Sequence, residues 1–412
     1  MDEEFLSNEI LKVYEPYLSL SPEYSKVFND MINNIIYKDN EGSFSLQYKL
    51  FYGFMASSTI GCENLLDDFI RIFLILGGDK SWIEKGLKCE NIPEHIRGIA
   101  KINNILAHKP WIMDRIHFEG FKKGLSVFLF QSAIILTTIQ RFGSIISGLN
   151  LIVHNDKIKE ENEDNKVKQI KPEKDEEKIK EENKIKEEKE NKDKKDEIKK
   201  NRKDKTIEEQ IQKVITSVKK NYTEIKEDDS QGEINNLINK KLIRQKFMSD
   251  LIVSYTDFNP HIEKFLYTED FSWKENAKYF FSDYVGKEMD YLNKEFKTLE
   301  KLSPENIKND IKINIFNLKE AIEKYLTLIF GIRNDEYNYH NNNLSMSVEL
   351  KKIIKKIACY PEQIQEQELA SCLEILNKEE LVYLILFVTS IKQKISLTFF
   401  AKAFDDYTSN NS

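Results

Sequence analysis

Glycine and proline are scarce in this chain, 14 and 8 among 412 residues. Both disfavour helix interiors, so their scarcity, with an abundance of Lys, Glu, Asn and Ile, argues for helices over sheets. Cysteine is scarce too. Cys62, Cys89, Cys359 and Cys372 form no CxxC pair and show no Cys/His ligand spacing, so no metal site is expected. No cofactor is expected either. Free thiols fit a reducing compartment, and a cytoplasmic location, with the nucleus as a second one, is expected. Positive charge is not in excess: the formal net charge is −7, which gives no basic field for nucleic acid. The opening MDEEFLSNEI is acidic and lacks the basic start of a secretory signal. Uninterrupted apolar runs are missing as well. Val127–Val153 is broken by Gln131, Gln140 and Arg141 and loosened by Gly143 and Gly148, and a central Arg costs a spanning helix ~2.5–3.5 kcal/mol. It reads as a buried core helix or helix pair. Leu381–Ile391 is too short to span.

What is present is helical periodicity. From Leu50 to Asp79, Phe51, Phe54, Met55, Ser58, Cys62, Leu65, Leu66, Phe69 and Phe73 recur at steps of three and four, one apolar stripe on one long helix. Gly77-Gly78 ends it. Cys62 then lies near the middle of that helix, within or beside the stripe. It is either a small core filler or a reactive thiol, which requires a neighbouring base or cation. No histidine lies within two turns, although His108 or His117 from elsewhere in the chain can approach.

The rest of the first block, residues 1–155, reads as helical. Ser21-Pro22-Glu23 opens a helix, and Pro93 and Pro110 mark breaks. His108, before Pro110-Trp111, reads as a hydrogen-bonded loop residue, with a catalytic role as the other option. From Asp156 to Lys205 nearly every residue is charged or Asn. Such a stretch buries too little apolar surface to offset its ordering entropy. It is a charged linker, either disordered or a solvated helix supported by pairs such as Glu176–Lys180. Apolar periodicity resumes at Thr206, and a second helical block runs from residue 206 to 412.

Seven stretches then resemble one family in order: LSLSPEYSKVF (Leu18–Phe28), SLQYKLFYGFMA (Ser45–Ala56), GGDKSWI, INNILAHKPWI (Ile102–Ile112), TEDFSWKEN (Thr268–Asn276), FGIRNDEYNY (Phe330–Tyr339) and IACYPE (Ile357–Glu362). They look like the sestrins, the first half being more distantly similar to the alkylhydroperoxidase D helical fold. The resemblance implies an all-α chain of two alkylhydroperoxidase D-like domains joined by the long charged linker. It places the family's redox cysteine at Cys62. The tyrosine and histidine of the family's proton relay are Asn64 and Phe69 here, and the second cysteine of the bacterial peroxidases is Leu65.

The resemblance also implies an amino-acid site in the second block. A zwitterion needs an acid, a cation and an apolar slot. Those positions hold Glu380, Lys319, and Leu318, Leu373 and Leu376, with Ser303, Asn306 and Ile315 where the family has lid threonines. Lys grips a carboxylate less specifically than Arg. The acidic pair that in sestrins docks the WD-repeat complex (GATOR) activating the TOR kinase complex is Asp335-Glu336, beside Tyr337. The expectation is a stress- or nutrient-responsive regulator acting through protein contact, with free leucine or a similar apolar amino acid as ligand and no nucleic-acid or membrane partner. The alternative is an enzyme, a thiol-dependent alkyl hydroperoxide reductase acting through Cys62; a helical scaffold without ligand is a third reading.

Overall fold

The computed structural model describes residues 18, 21–38, 44–122, 124–169, 240–248, 255–302, 315–340 and 345–410. Most of the charged linker, the expected helix after Thr206, and Ser303 and Asn306 lie outside the described residues. The fold is all-α. Its helices, in chain order, are α1 (Pro22–Ile32), α2 (Leu46–Ile60), α3 (Glu63–Ile75), α4 (Lys80–Lys85), α5 (Glu94–His108), α6 (Ser126–Gln169), α7 (Lys240–Phe247), α8 (Lys278–Lys301), α9 (Lys319–Ile329), α10 (Val348–Cys359), α11 (Glu366–Ile375) and α12 (Lys378–Ser409). Two very short strands, β1 (Leu266–Tyr267) and β2 (Ile332–Arg333), pair in parallel.

Local sequence explains several boundaries. Ser21 caps α1 by accepting the Tyr24 N–H at 3.1 Å, with Pro22 in the first turn. Pro93 precedes α5, and Pro110 follows its end at His108. Gly77, at φ +75°, lies just past the end of α3.

One expected helix is two. The stripe from Leu50 to Asp79 is interrupted at Gly61, which adopts φ +78°, and Cys62 becomes the N-cap of α3 rather than a mid-helix residue. The reason is tertiary. The break lies against Gly143 of α6, where a side chain would collide with Ile60 and come within 3.2 Å of the Cys62 Cβ. A glycine on α6 leaves room for that close approach.

Met1–Asn155 and Lys240–Ser412 form one compact unit. Of the other unit, Asp156–Asn239, the described part is the end of α6, as far as Gln169. In the first unit α6 and α12 are the central helices. Both are long and apolar enough to cross a membrane by length and composition, yet their apolar stretches are 94% and 89% buried inside the protein. Val127–Val153 is thus the core helix its sequence suggested, and Leu381–Ile391 is part of a much longer one. The two blocks meet through buried polar contacts as well as apolar packing. Arg141 of α6 makes a two-pronged pair with Glu295 of α8, at 2.6 and 2.7 Å, and Tyr24 donates to the same carboxylate at 2.7 Å. Gln393 of α12 donates to Thr138 at 3.0 Å, and Lys392 to the Leu106 carbonyl at 2.8 Å. Of the polar residues that argued against a membrane span, Arg141 and Gln131, which donates to Glu288 at 3.1 Å, join the blocks, whereas Gln140 donates to Asn103 within the first block.

Candidate functional site

Three places carry the residues singled out by sequence. The first is the α2–α3 break. Cys62 is 4% exposed and borders a cleft of about 240 Å³ whose other walls include Asn64, Ser147, Asn150 and Glu362. A thiol at a helix N-terminus ordinarily gains acidity from the backbone N–H groups. Here burial pushes the thiol up to about 11, although the Leu65 N–H and the Ser147 hydroxyl favour the thiolate; the negative charges of Asp68 and Glu63 push it further up. The thiol is therefore protonated near neutrality.

The relay positions have other uses. Asn64 is exposed. Phe69 is fully buried, stacks on Tyr37 at 6.1 Å, and lies against Gly53 of α2, where any Cβ would meet its ring. It is a core residue. His108 does approach the break, with its Nε2 3.2 Å from the Thr59 carbonyl. Burial, and next the Lys392 charge, push this imidazole down to about 4, so it is neutral and holds the end of α2. His117 is tied to Asp114 in a turn of its own. Glu362, from IACYPE in the second block, reaches the Cys62 cleft. Sequence spacing held no signal for it, because it lies 300 residues from Cys62 in the chain.

The second place is the start of α12. Glu380 is fully buried, not a surface charge. It is the third residue of a capping box: its Oε2 accepts the Asn377 N–H at 2.9 Å while its own N–H donates to Asn377 Oδ1 at 2.8 Å. One turn on, the ring of Tyr383 lies 5.4 Å from the Lys319 ammonium. Lys319 also donates to the carbonyls of Glu300 and Leu302 at 2.9 and 2.8 Å, and burial holds its pKa below the usual lysine range. Lys319 thus lies against Tyr383, which follows Glu380 by one turn on α12. Leu376 and Ile315 are buried and Leu318 and Leu373 half-buried.

The third place is the segment after β2. Gly331 turns the chain at φ +78°. Asn334 then folds the backbone over, its Oδ1 accepting the Glu336 N–H at 2.8 Å. Asp335 and Glu336 are exposed, and the Asp335 side chain keeps 61% of its surface while pairing with Arg333 at 2.9 Å. Tyr337 is half-buried, packed edge-on against Tyr339 and beneath the Lys324 ammonium at 4.8 Å. Two carboxylates on a fixed turn, next to an anchored ring, form a surface suited to a basic partner.

Comparison with known proteins shows what the chain as a whole is similar to. A family model described as PA26 p53-induced protein (sestrin) matches residues 1–408. Sestrin-2 of Homo sapiens is 21% identical, with 95% of this chain and 82% of the relative covered. Sestrin-1 of Macaca fascicularis is 21% identical over 94% of this chain and 81% of its own length. Sestrin-3 of Mus musculus is 22% identical over 88% and 79%.

Proposed function

The chain belongs to the sestrin family, whose model spans residues 1–408, and from that premise we propose that it is an intracellular stress- and nutrient-responsive regulator that works by protein contact, restraining TOR signalling by docking the GATOR-type WD-repeat complex through Asp335, Glu336 and Tyr337. The supporting observation is the exposure of both acids on a turn fixed by Asn334. Charge on such a turn selects the partner and speeds encounter, and the ring beside it adds area to bury. The test is co-purification of the complex with the wild type and with Asp335→Ala/Glu336→Ala. Loss of the complex from a folded double variant is expected; unchanged recovery refutes the docking role.

A gate by an apolar amino acid such as leucine belongs to the same proposal. In this reading Glu380, one turn before Tyr383 on α12, and Lys319, 5.4 Å from the Tyr383 ring, are the acid and the cation, and Leu318 and Leu376 the apolar walls. Calorimetric titration with leucine, isoleucine and methionine is expected to give heat with the wild type and none with Glu380→Ala. No heat and no thermal shift at millimolar ligand removes the gate. The hydroperoxide reductase alternative has the Cys62 environment against it, because a thiol held up to about 11 offers little thiolate near neutrality.

A further inference from the structure

Behind the Cys62 cleft, where the two blocks meet, lies a small cavity of about 30 Å³. Pro361 and Glu362 are walls of both spaces. The lining of the cavity draws on α2, α5 and α6 of the first block and on α10 and α12 of the second. A single water needs roughly 10–15 Å³ of such space, so one fits easily and two fill it.

Most polar groups around the cavity are engaged elsewhere. The Ser144, Thr389 and Ser396 hydroxyls donate to backbone carbonyls at 3.0, 2.8 and 2.9 Å. Gln140 donates to Asn103 and Lys392 to the Leu106 carbonyl. Two atoms are not engaged. Arg141 gives its Nη atoms to Glu295, and its buried Nε–H has no acceptor among the described residues. The buried Nδ1 of His108 has no partner among them either. What each atom offers follows from its side chain. An arginine Nε only donates. His108 Nε2 lies 3.2 Å from the Thr59 carbonyl. A carbonyl only accepts, so the proton of the neutral ring sits on Nε2, and Nδ1 is an acceptor.

A buried donor and a buried acceptor around one cavity select its occupant. An anion would meet the Nδ1 lone pair, and a cation would meet the Arg141 guanidinium. An apolar molecule would leave both atoms unsatisfied, which is costly in a protein interior. A small neutral molecule that both accepts and donates satisfies both, and water fits the volume. We propose that the cavity is a structural hydration site, in which one water, or two in a row, accepts from Arg141 Nε–H and donates to His108 Nδ1. The site extends the polar network between the blocks. That network runs from Tyr24 and Glu295 through Arg141 and the water to His108. It ends on the carbonyl of Thr59, two residues before Gly61. The break that positions Cys62 is thereby linked to the ion pair that joins the blocks, whatever the partner or ligand of the second block.

Two measurements on the full chain test this. Heteronuclear NMR with isotope-labelled histidine reads the tautomer, the His108 signal being the one lost in His108→Gln. The ring is expected to carry its proton on Nε2 alone. A proton on Nδ1 removes the acceptor, makes the cavity a donor-only site suited to an anion, and overturns the proposal. A crystal structure that resolves buried waters reads the occupant. Density for one or two waters is expected within ~2.7–3.2 Å of Arg141 Nε and of His108 Nδ1. An empty cavity, or density that reaches neither atom, overturns the proposal, and so does an anomalous signal there after a bromide soak. In His108→Leu, the water beside position 108 is expected to be lost; unchanged density there means that His108 is not its partner and the bridge falls. If that variant does not fold, the wild-type density and tautomer decide.

Discussion

Cys62 and Asp335 follow the same backbone device and end in opposite environments. Each comes shortly after a glycine at φ +78°, Gly61 in one case and Gly331 in the other. After Gly61 the chain turns inward against Gly143 of α6, and the thiol is closed off with acids as its charged neighbours. After Gly331 a two-residue strand carries the chain outward, and Asn334 presents two carboxylates to solvent. The turn itself specifies neither role. What covers it decides whether the next side chain is filler or contact, and in this protein the thiol is covered and the acids are not.

The largest way to break the comparison is to loosen the frame that sets both exposures. Glu295→Ala leaves the Arg141 charge buried without its carboxylate, and a loss of ~3–5 kcal/mol in urea unfolding is expected. A loss below ~1 kcal/mol would mean that water already reaches Arg141 and that the cover over the core is looser than the geometry implies.

Acid sharpens the first side of the comparison. His108 is held down to about 4 in the fold, against ~6.5 for a free imidazole, so between these values the unfolded chain binds more protons. Its contribution to stability is complete above ~6.5 and is lost as pH falls towards 4, at most on the order of 3 kcal/mol. His108→Gln is expected to remove that component from the pH profile of the unfolding free energy. An unchanged difference between pH 7 and pH 4 would show that His108 titrates freely, as a base available to the α2–α3 break does.

Cys62 supplies the next smaller effect. Raised from about 9 to about 11, its thiol carries ~100-fold less thiolate near neutrality than an unperturbed one. Pulsed alkylation read peptide by peptide is expected to be slower by that factor than for the same cysteine in urea, with the rate still climbing at pH 10. Rapid labelling of the folded chain near pH 7 would reopen the hydroperoxide reading.

These effects also show where sequence reading stops. The caps at Ser21 and Gly77 and the core helix at Val127–Val153 are legible because each is written locally, in a hydroxyl before proline, a glycine after a stripe, or a long apolar run broken by few charges. The break before Cys62 is not. Phe54, Ser58, Cys62, Leu65 and Leu66 keep helical spacing across it, and a lone glycine in such a pattern is usually tolerated. The close approach that the break needs is left by Gly143, 82 residues beyond Gly61. The capping box at Glu380 is legible afterwards, since Asn377 precedes it by three residues before an apolar run. Its complete burial is not, because that depends on helices far away in the chain. The exposure of Asp335 and Glu336 is readable only as two acids after glycine; their outward direction comes from the β1–β2 pairing.

The smallest expected effect is the most discriminating. Asp335→Ala/Glu336→Ala removes one exposed ion pair and one exposed carboxylate, and exposed pairs contribute ~0–1 kcal/mol because solvent screens them and ordering two side chains costs entropy. Asn334 still folds the turn through the backbone N–H of Glu336, which alanine retains. The double variant is therefore expected to unfold within ~0.5 kcal/mol of the wild type while losing the partner proposed to dock there. If it instead unfolds several kcal/mol earlier, those acids are part of the frame, as Glu295 is, and any loss of binding reports a damaged fold. A functional carboxylate is one whose removal the fold does not register, and the two ends of this comparison separate on that measurement.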